Sequence, residues 1–340
     1  MNQDYNTNVT PPVTNTPANL KNRFIFGAII LGVLLLFVVL RGLVSTYAFD
    51  LLIGFLMVLG AFEIETLMHK MDRPTYSTFI GLFPIFTFVV NVIFLNSGIS
   101  LISLLAIDLI LLVASILAWF AIPLLFNKQL KKSMRKDKCI GNPVMYSFKK
   151  SLNSAFVCIW PTLLLSFMFL INHFTELQIA QDSFLVAYQG SADFGLIGLA
   201  LLFATSMLAD TCAMLVGRTL KSPKINLAKL GPGKSWSGLC GGIVGAVIGA
   251  ILVFVVFNFF ETYTLLFNAV GITIWSFVLA GLICGIFSML GDIFSSFFKR
   301  RAGVKDFSNF LPGHGGIMDR VNGIVVNSVA VFVIMCIFFA

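Results

Sequence analysis

Charge is scarce in this chain. Charged residues make up 11% of its 340 positions against 58% hydrophobic, and the mean hydropathy is +0.95. That balance excludes a soluble globular domain and points to a polytopic membrane protein. Cysteine is sparse and scattered: residues 139, 158, 212, 240, 284 and 336 form no CxxC pair. The spacing argues against a zinc site or a redox motif and leaves them as packing residues. No internal repeat appears, unlike transporters built from inverted halves. The Walker A pattern, GxxxxGK followed by Ser or Thr after a strand, is missing too. No nucleic-acid partner is expected.

What the chain has is long apolar runs. A bilayer crossing needs about 20 apolar residues, and nine candidates fall near 24–43, 48–68, 76–96, 100–126, 151–173, 194–217, 239–260, 267–298 and 321–340. The expected fold is all-α, about nine transmembrane helices with a polar active site at the cytoplasmic face. Of the 23 Lys and Arg residues, 22 fall on one side of these spans and only Arg41 on the other. Cytoplasmic loops retain positive charge, so the N-terminus is expected inside and Ala340 outside, in a multi-pass plasma-membrane protein. The opposite loops hold Glu176, Asp182, Asp193 and Glu261 without a cation. Residues 1–20, rich in Asn, Thr and Pro, read as a flexible cytoplasmic tail. The first apolar run lacks a small-residue cleavage site and reads as a retained anchor. The chain divides on this reading into the tail, N-terminal helices with a basic loop over 21–150, and a C-terminal catalytic region over 151–340.

Three polar segments interrupt the apolar runs. The first, residues 127–150, is mostly cations and suits a surface of anionic headgroups, where each juxtamembrane cation gains about 1 kcal/mol. The second starts at Asp210 within the sixth span, passes Arg218 and ends in a GPGKSWSG loop holding Lys234, Ser235, Trp236 and Gly238. Glycines allow close backbone approach, and exposed N–H groups beside a Lys and a hydroxyl can cradle phosphate. Trp236 offers a ring for a base, and equally an interfacial anchor. Gly241, Gly245 and Gly249 then recur at four-residue spacing, a close helix-packing face.

The third segment, 292–320, is the densest. Ser288, Asp292, Ser295, Ser296 and Lys299 recur at three- and four-residue steps and share one helix face. Beyond them come Arg300, Arg301, Lys305 and Arg320 as cations, Asp306 and Asp319 as hard oxygen ligands, and His314 within Pro312-Gly-His-Gly-Gly316. Mg²⁺ needs few carboxylates because it keeps waters and takes ligands from substrate phosphates. Asp292 and Asp319 are the best pair for it. Ionisable groups bordering two apolar spans mark a functional site. Glu63, Glu65 and Asp108 carry less weight and have no assigned role.

At these residues the chain resembles the phosphatidate cytidylyltransferases, or CDP-diacylglycerol synthases. Their signature runs S-x-x-K-R-x4-K-D-x4-L/I/F-P-x-H-G-G-x-x-D-R-x-D, and Ser296, Lys299, Arg300, Lys305, Asp306, Leu311, Pro312, His314, Gly315, Gly316, Asp319 and Arg320 occupy it. Asp210, Ala213, Gly217, Arg218, Pro232, Lys234, Ser235, Trp236 and Gly238 resemble the family's upstream elements. Asn322, Ser237, Ser295 and Leu215 depart, three of them where an acidic residue is usual. The resemblance implies a reaction of CTP with phosphatidate, giving CDP-diacylglycerol and pyrophosphate, with membrane lipids as surroundings. It implies Mg²⁺ at Asp292 and Asp319, with a second cation left open. Lys299, Arg300, Lys305, Asp306, His314 and Arg320 would form the catalytic set, and Asp210, Arg218, Lys234, Ser235, Trp236 and Gly238 the nucleotide side. A homodimer remains open. Competing readings are a CTP-using enzyme acting on another lipid, such as a polyprenol kinase or an archaeal-lipid cytidylyltransferase, and a transporter of an anionic solute.

Overall fold

The structure is a computed structural model that describes residues 17–95, 97, 101–137, 141–176, 192–220, 222–223, 235–308, 310 and 315–339. It contains α1 (Pro17–Leu43), α2 (Thr46–Lys70), α3 (Ser77–Leu95), α4 (Leu101–Leu125), α5 (Asn127–Lys136) and α6 (Pro143–Asn172). After these come α7 (Phe194–Thr219), α8 (Trp236–Asn258), α9 (Glu261–Val270), α10 (Ile274–Arg301) and α11 (Met318–Phe339). Eight of these helices are long and apolar enough to cross a membrane, and α1 carries a shorter apolar run, Gly27–Leu43. The chain is an all-α, multi-pass membrane protein. Large apolar side chains such as Leu35, Phe55, Ile85, Leu109 and Leu252 are exposed on outward faces, as lipid-facing helices require.

Two boundaries differ from the sequence reading. The span expected at 267–298 is two helices, because Gly271 takes φ +75 and ends α9 before Thr273 and Ser276 form a capping box that starts α10. The division at 150/151 falls inside α6, which runs on from Pro143. α6 widens into a π turn over Cys158–Leu163 around Pro161, a residue that cannot donate to the helical ladder.

The glycine stripe on α8 packs on α7. A Cβ at Gly241 would lie 2.5 Å from Val216, at Gly245 2.4 Å from the Leu208 carbonyl, and at Gly249 2.6 Å from that of Ala204. Only glycine allows backbones this close. α10 then packs between α8 and α11, with Gly291 so near that a Cβ would meet the Asn322 carbonyl at 2.5 Å.

At the membrane face carrying the starts of α2 and α7 and the end of α6, Arg41 is buried (5% exposed). Its guanidinium donates to Asp193 through two nitrogens and to Asn172 Oδ1 at 2.5 Å. Asn172 Nδ2 donates to Asp50 at 2.8 Å, and His173 bridges Asp50 and Glu176 at 2.6 and 2.9 Å. The cation that the sequence sets apart on this face is therefore a structural tie between four helices.

Candidate active site

At the opposite ends of the helices, α10 and α11 meet as an antiparallel pair with rungs between them. Lys299 Nζ donates to Asp319 Oδ1 at 2.5 Å, Asn322 Nδ2 donates to Ser295 Oγ at 2.7 Å, and Ser288 Oγ lies 2.8 Å from where a Cβ of Gly323 would be. Asp292 falls between the Ser288 and Ser295 levels on this shared face and is half-buried. Asp210 of α7 reaches the same crossing, its Oδ1 3.9 Å from that Gly323 position. Lys299 and Asp319 thus pair at one end of the α10–α11 contact and Asp210 reaches it further along, beside Ser288 and Gly323, with Asp292 on α10 between those two levels. Ser288 Oγ and Asn322 Oδ1 are buried there without a hydrogen-bond partner among the described residues.

Asp319 also organises the loop that precedes its own helix. Its Oδ2 accepts from the backbone N–H of Phe307 at 2.8 Å and of Gly316 at 2.9 Å. Lys299 lies 5.1 Å from the centre of the Phe307 ring, a cation–π contact. Asp306 and Asp319 crowd Gly315, where a Cβ would sit 2.9 Å from Asp319 Oδ2 and where φ is +83. Position and conformation both demand glycine.

Glu63 of α2 is the residue that sequence reasoning missed. Its Oε1 accepts from Ser308 Oγ at 2.6 Å and Ile317 N–H at 2.9 Å, and its Oε2 from Met318 N–H at 2.8 Å. A helix start leaves N–H groups unpaired, and here a carboxylate 255 residues away in sequence caps them. The negative charge also suits the helix N-terminus. Gly316 fits because a Cβ would lie 2.6 Å from Glu63 Oε2. The one available signal was a carboxylate at membrane depth with no partner in its own helix.

Beneath this loop, Trp160 in the π turn of α6 packs edge-on against Phe294 and Phe307, at 4.6 and 5.8 Å between centres, with Phe298 at 5.4 Å. The polar junction therefore rests on an aromatic floor. Arg218, Arg300, Lys305 and Arg320 are exposed around it, and Asp306 is half-buried.

On the nucleotide side, Ser235 caps α8 by accepting from Gly238 N–H at 3.2 Å. Gly238 is a close-approach point, a Cβ there meeting the Ala213 carbonyl at 3.2 Å. Ser237, at a position where the resemblance leads one to look for an acid, pairs with Ser222 at 2.8 Å. Trp236 is exposed. Lys234 and His314 lie outside the described residues.

The chain matches the family described as Cytidylyltransferase family over residues 21–339. It is 27% identical to the phosphatidate cytidylyltransferase of Haemophilus influenzae over 285 residues, 83% of this chain and 88% of that protein. It is 36% identical to the phosphatidate cytidylyltransferase of Rickettsia conorii over 132 residues and 35% identical to that of Brucella suis over 150 residues. Those two matches cover 39% and 44% of this chain and about half of the relatives, 55% and 51%.

Proposed function

We propose, from the premise that this chain belongs to the cytidylyltransferase family, that it joins CTP and phosphatidate into CDP-diacylglycerol and pyrophosphate. The observation that supports this reading is the α10–α11 contact, where the Lys299–Asp319 pair, Asp292 and Asp210 lie along one seam bordered by exposed cations. Relatives with this printed activity favour phosphatidate over another lipid acceptor or a transported solute.

A phosphate oxygen of phosphatidate attacks the α-phosphorus of CTP. A P–O bond forms there, the α–β bridge breaks, and pyrophosphate leaves with the electron pair. The nucleophile is already anionic, so positioning and electrostatics dominate over general-base catalysis. Arg300, Lys305 and Arg320 hold two anionic reactants against their mutual repulsion, with Arg218 and Lys234 on the nucleotide side. Lys299, fixed by Asp319, is held at the junction rather than free to follow a ligand.

Mg²⁺ is the proposed cofactor, held by Asp292 and Asp319. The donor set suits a hard cation: Ser288 and Asn322 contribute buried unpaired oxygens nearby, and Asp319 uses three of a carboxylate's roughly four acceptor sites. Among the described residues no three acidic, His or Cys side chains form a ready-made cage, which accords with an ion that relies on water and substrate phosphate. When bound, it neutralises charge developing on the leaving pyrophosphate. In this reading the N-terminus and the junction face the cytoplasm, and the phosphatidate acyl chains stay in the adjoining leaflet.

The test is purified protein in lipid nanodiscs given labelled CTP with phosphatidate, a polyprenyl phosphate or neither. A labelled lipid with stoichiometric pyrophosphate, formed with phosphatidate alone and only with Mg²⁺, is expected. Lipid labelling restricted to the polyprenyl acceptor, or none with either, refutes the reading.

A further inference from the structure

A second polar cluster lies in the N-terminal half, apart from the α10–α11 junction. Asp108 of α4 is 2% exposed and accepts from Asn91 Nδ2 of α3 at 3.3 Å. Ser166 of α6, whose hydroxyl donates to the Thr162 carbonyl at 3.2 Å, lies beside the same carboxylate, so three helices meet at it. Thr87 sits four residues before Asn91 on α3, and Thr162 four residues before Ser166 on α6. As third and fifth crossings, α3 and α6 run in the same direction, so both threonines lie one turn to the same side of the Asp108 level. α3 also packs on the Cys158–Leu163 turn that holds Thr162.

Four oxygens of this cluster have no hydrogen-bond partner among the described residues: Asp108 Oδ1, Asn91 Oδ1, Thr87 Oγ1 and Thr162 Oγ1. All four residues are at most 2% exposed. Buried polar groups left in this state each carry a desolvation penalty, and a charged one carries more. No Lys, Arg or His occurs in α3, in α4 or in residues 151–172 of α6. The lining helices thus supply a carboxylate at membrane depth with no counter-charge.

We propose that Asp108, Asn91, Thr87 and Thr162 bind a dehydrated monovalent alkali cation between α3, α4 and α6. One formal negative charge with neutral amide and hydroxyl oxygens balances a single positive charge. A divalent ion would leave excess charge in lipid, and α3, α4 and residues 151–172 of α6 carry no acidic residue besides Asp108 to offset it. Hard oxygen donors exclude a soft metal. The ion joins α3 and α4 to α6, the helix whose Trp160 forms the floor of the active site, so occupancy steadies that floor without touching substrate.

The test is the thermal unfolding midpoint of the purified full chain in detergent without Mg²⁺ or substrate, at constant ionic strength, as Na⁺ or K⁺ replaces choline. A ligand that binds only the folded state raises the midpoint with its concentration. The expected result is such a rise in wild type, its absence in Asp108→Asn, and a half-effect concentration about fivefold higher in Thr87→Val, the loss of one neutral contact. Thr87→Val keeps the test decisive if Asp108→Asn does not fold. Equal midpoints in Na⁺, K⁺ and choline overturn the proposal. A cation effect unchanged in the variants does so too, as does a midpoint that follows pH alone, the mark of a protonated carboxyl.

Discussion

Glu63→Ala is the most searching perturbation, because it lies far in sequence from every signature residue and touches the site only through hydrogen bonds. The carboxylate accepts from Ser308 Oγ, Ile317 N–H and Met318 N–H. Hydrogen bonds to a charged group contribute roughly 1.5–3 kcal/mol each, so three represent about 4.5 kcal/mol at the lower bound. Ser308 is half-buried and its hydroxyl regains water. The two backbone amides are buried and do not, which leaves about 3 kcal/mol. The loop has to be ordered for its cations to meet the reactants, so this cost appears in kcat/KM as a fall of about 100-fold. Glu63→Gln retains one carbonyl oxygen as acceptor but sets an amide donor against a backbone N–H, and is expected to lose about tenfold. Glu65→Gln is the control: Glu65 bonds Thr75 and His69 rather than the loop, so activity stays near wild type. The assay is CDP-lipid formation, paired with hydrogen exchange at the amides of residues 317 and 318. Wild-type kcat/KM in Glu63→Ala, with unchanged protection at those amides, would refute the reasoning.

Asp292→Asn and Asp319→Asn are each expected to abolish Mg²⁺-dependent pyrophosphate release, and activity retained by both removes the metal-holding roles. Gly316→Ala drives a methyl group to 2.6 Å from Glu63 Oε2 and should cost about 1–3 kcal/mol in thermal stability. Combining it with Glu63→Ala should cost less than the two separate losses added together, since the clash is gone; strict additivity in a double-mutant cycle counts against the contact. At the Arg41 tie, burial acts to lower the His173 pKa, but hydrogen bonds and charge from Asp50 and Glu176 override it and raise it to about 9. A folded value above the unfolded ~6.5 stabilises fully below that pH and is lost as pH rises through about 9. The unfolding midpoint should therefore fall between pH 6.5 and 9 in wild type, and that slope should vanish in His173→Gln.

Much of the C-terminal half is legible from local sequence. The three- and four-residue spacing from Ser288 to Lys299 predicts one helix face, and that face meets α11. The four-residue glycine spacing predicts a packing stripe, and α7 lies along it. Periodicity reports only what a helix presents, however, and says nothing about which distant group meets it. Glu63 bonds residues more than 240 positions away, and Asp210 reaches Gly323 across a helix junction. Ser295 and Asn322 read singly as two lost acids, whereas in the structure they hydrogen-bond each other. A hydroxyl and an amide form a neutral pair there, so the two positions act as one contact between α10 and α11. Gly271 was hidden for another reason: an apolar run continues unbroken across it, and hydropathy does not register a left-handed backbone.

The burial of Arg41 has a practical consequence for anyone handling the N-terminus. α1 displays apolar side chains such as Ile29, Leu35, Leu36 and Val39 outward and looks interchangeable with any leader that inserts into a bilayer. Its last turn, though, supplies the guanidinium that Asp193 and Asn172 require. A fusion that swaps this helix for a generic anchor would insert correctly and still strand an aspartate, so expression tags belong ahead of Pro17, with the helix itself left intact.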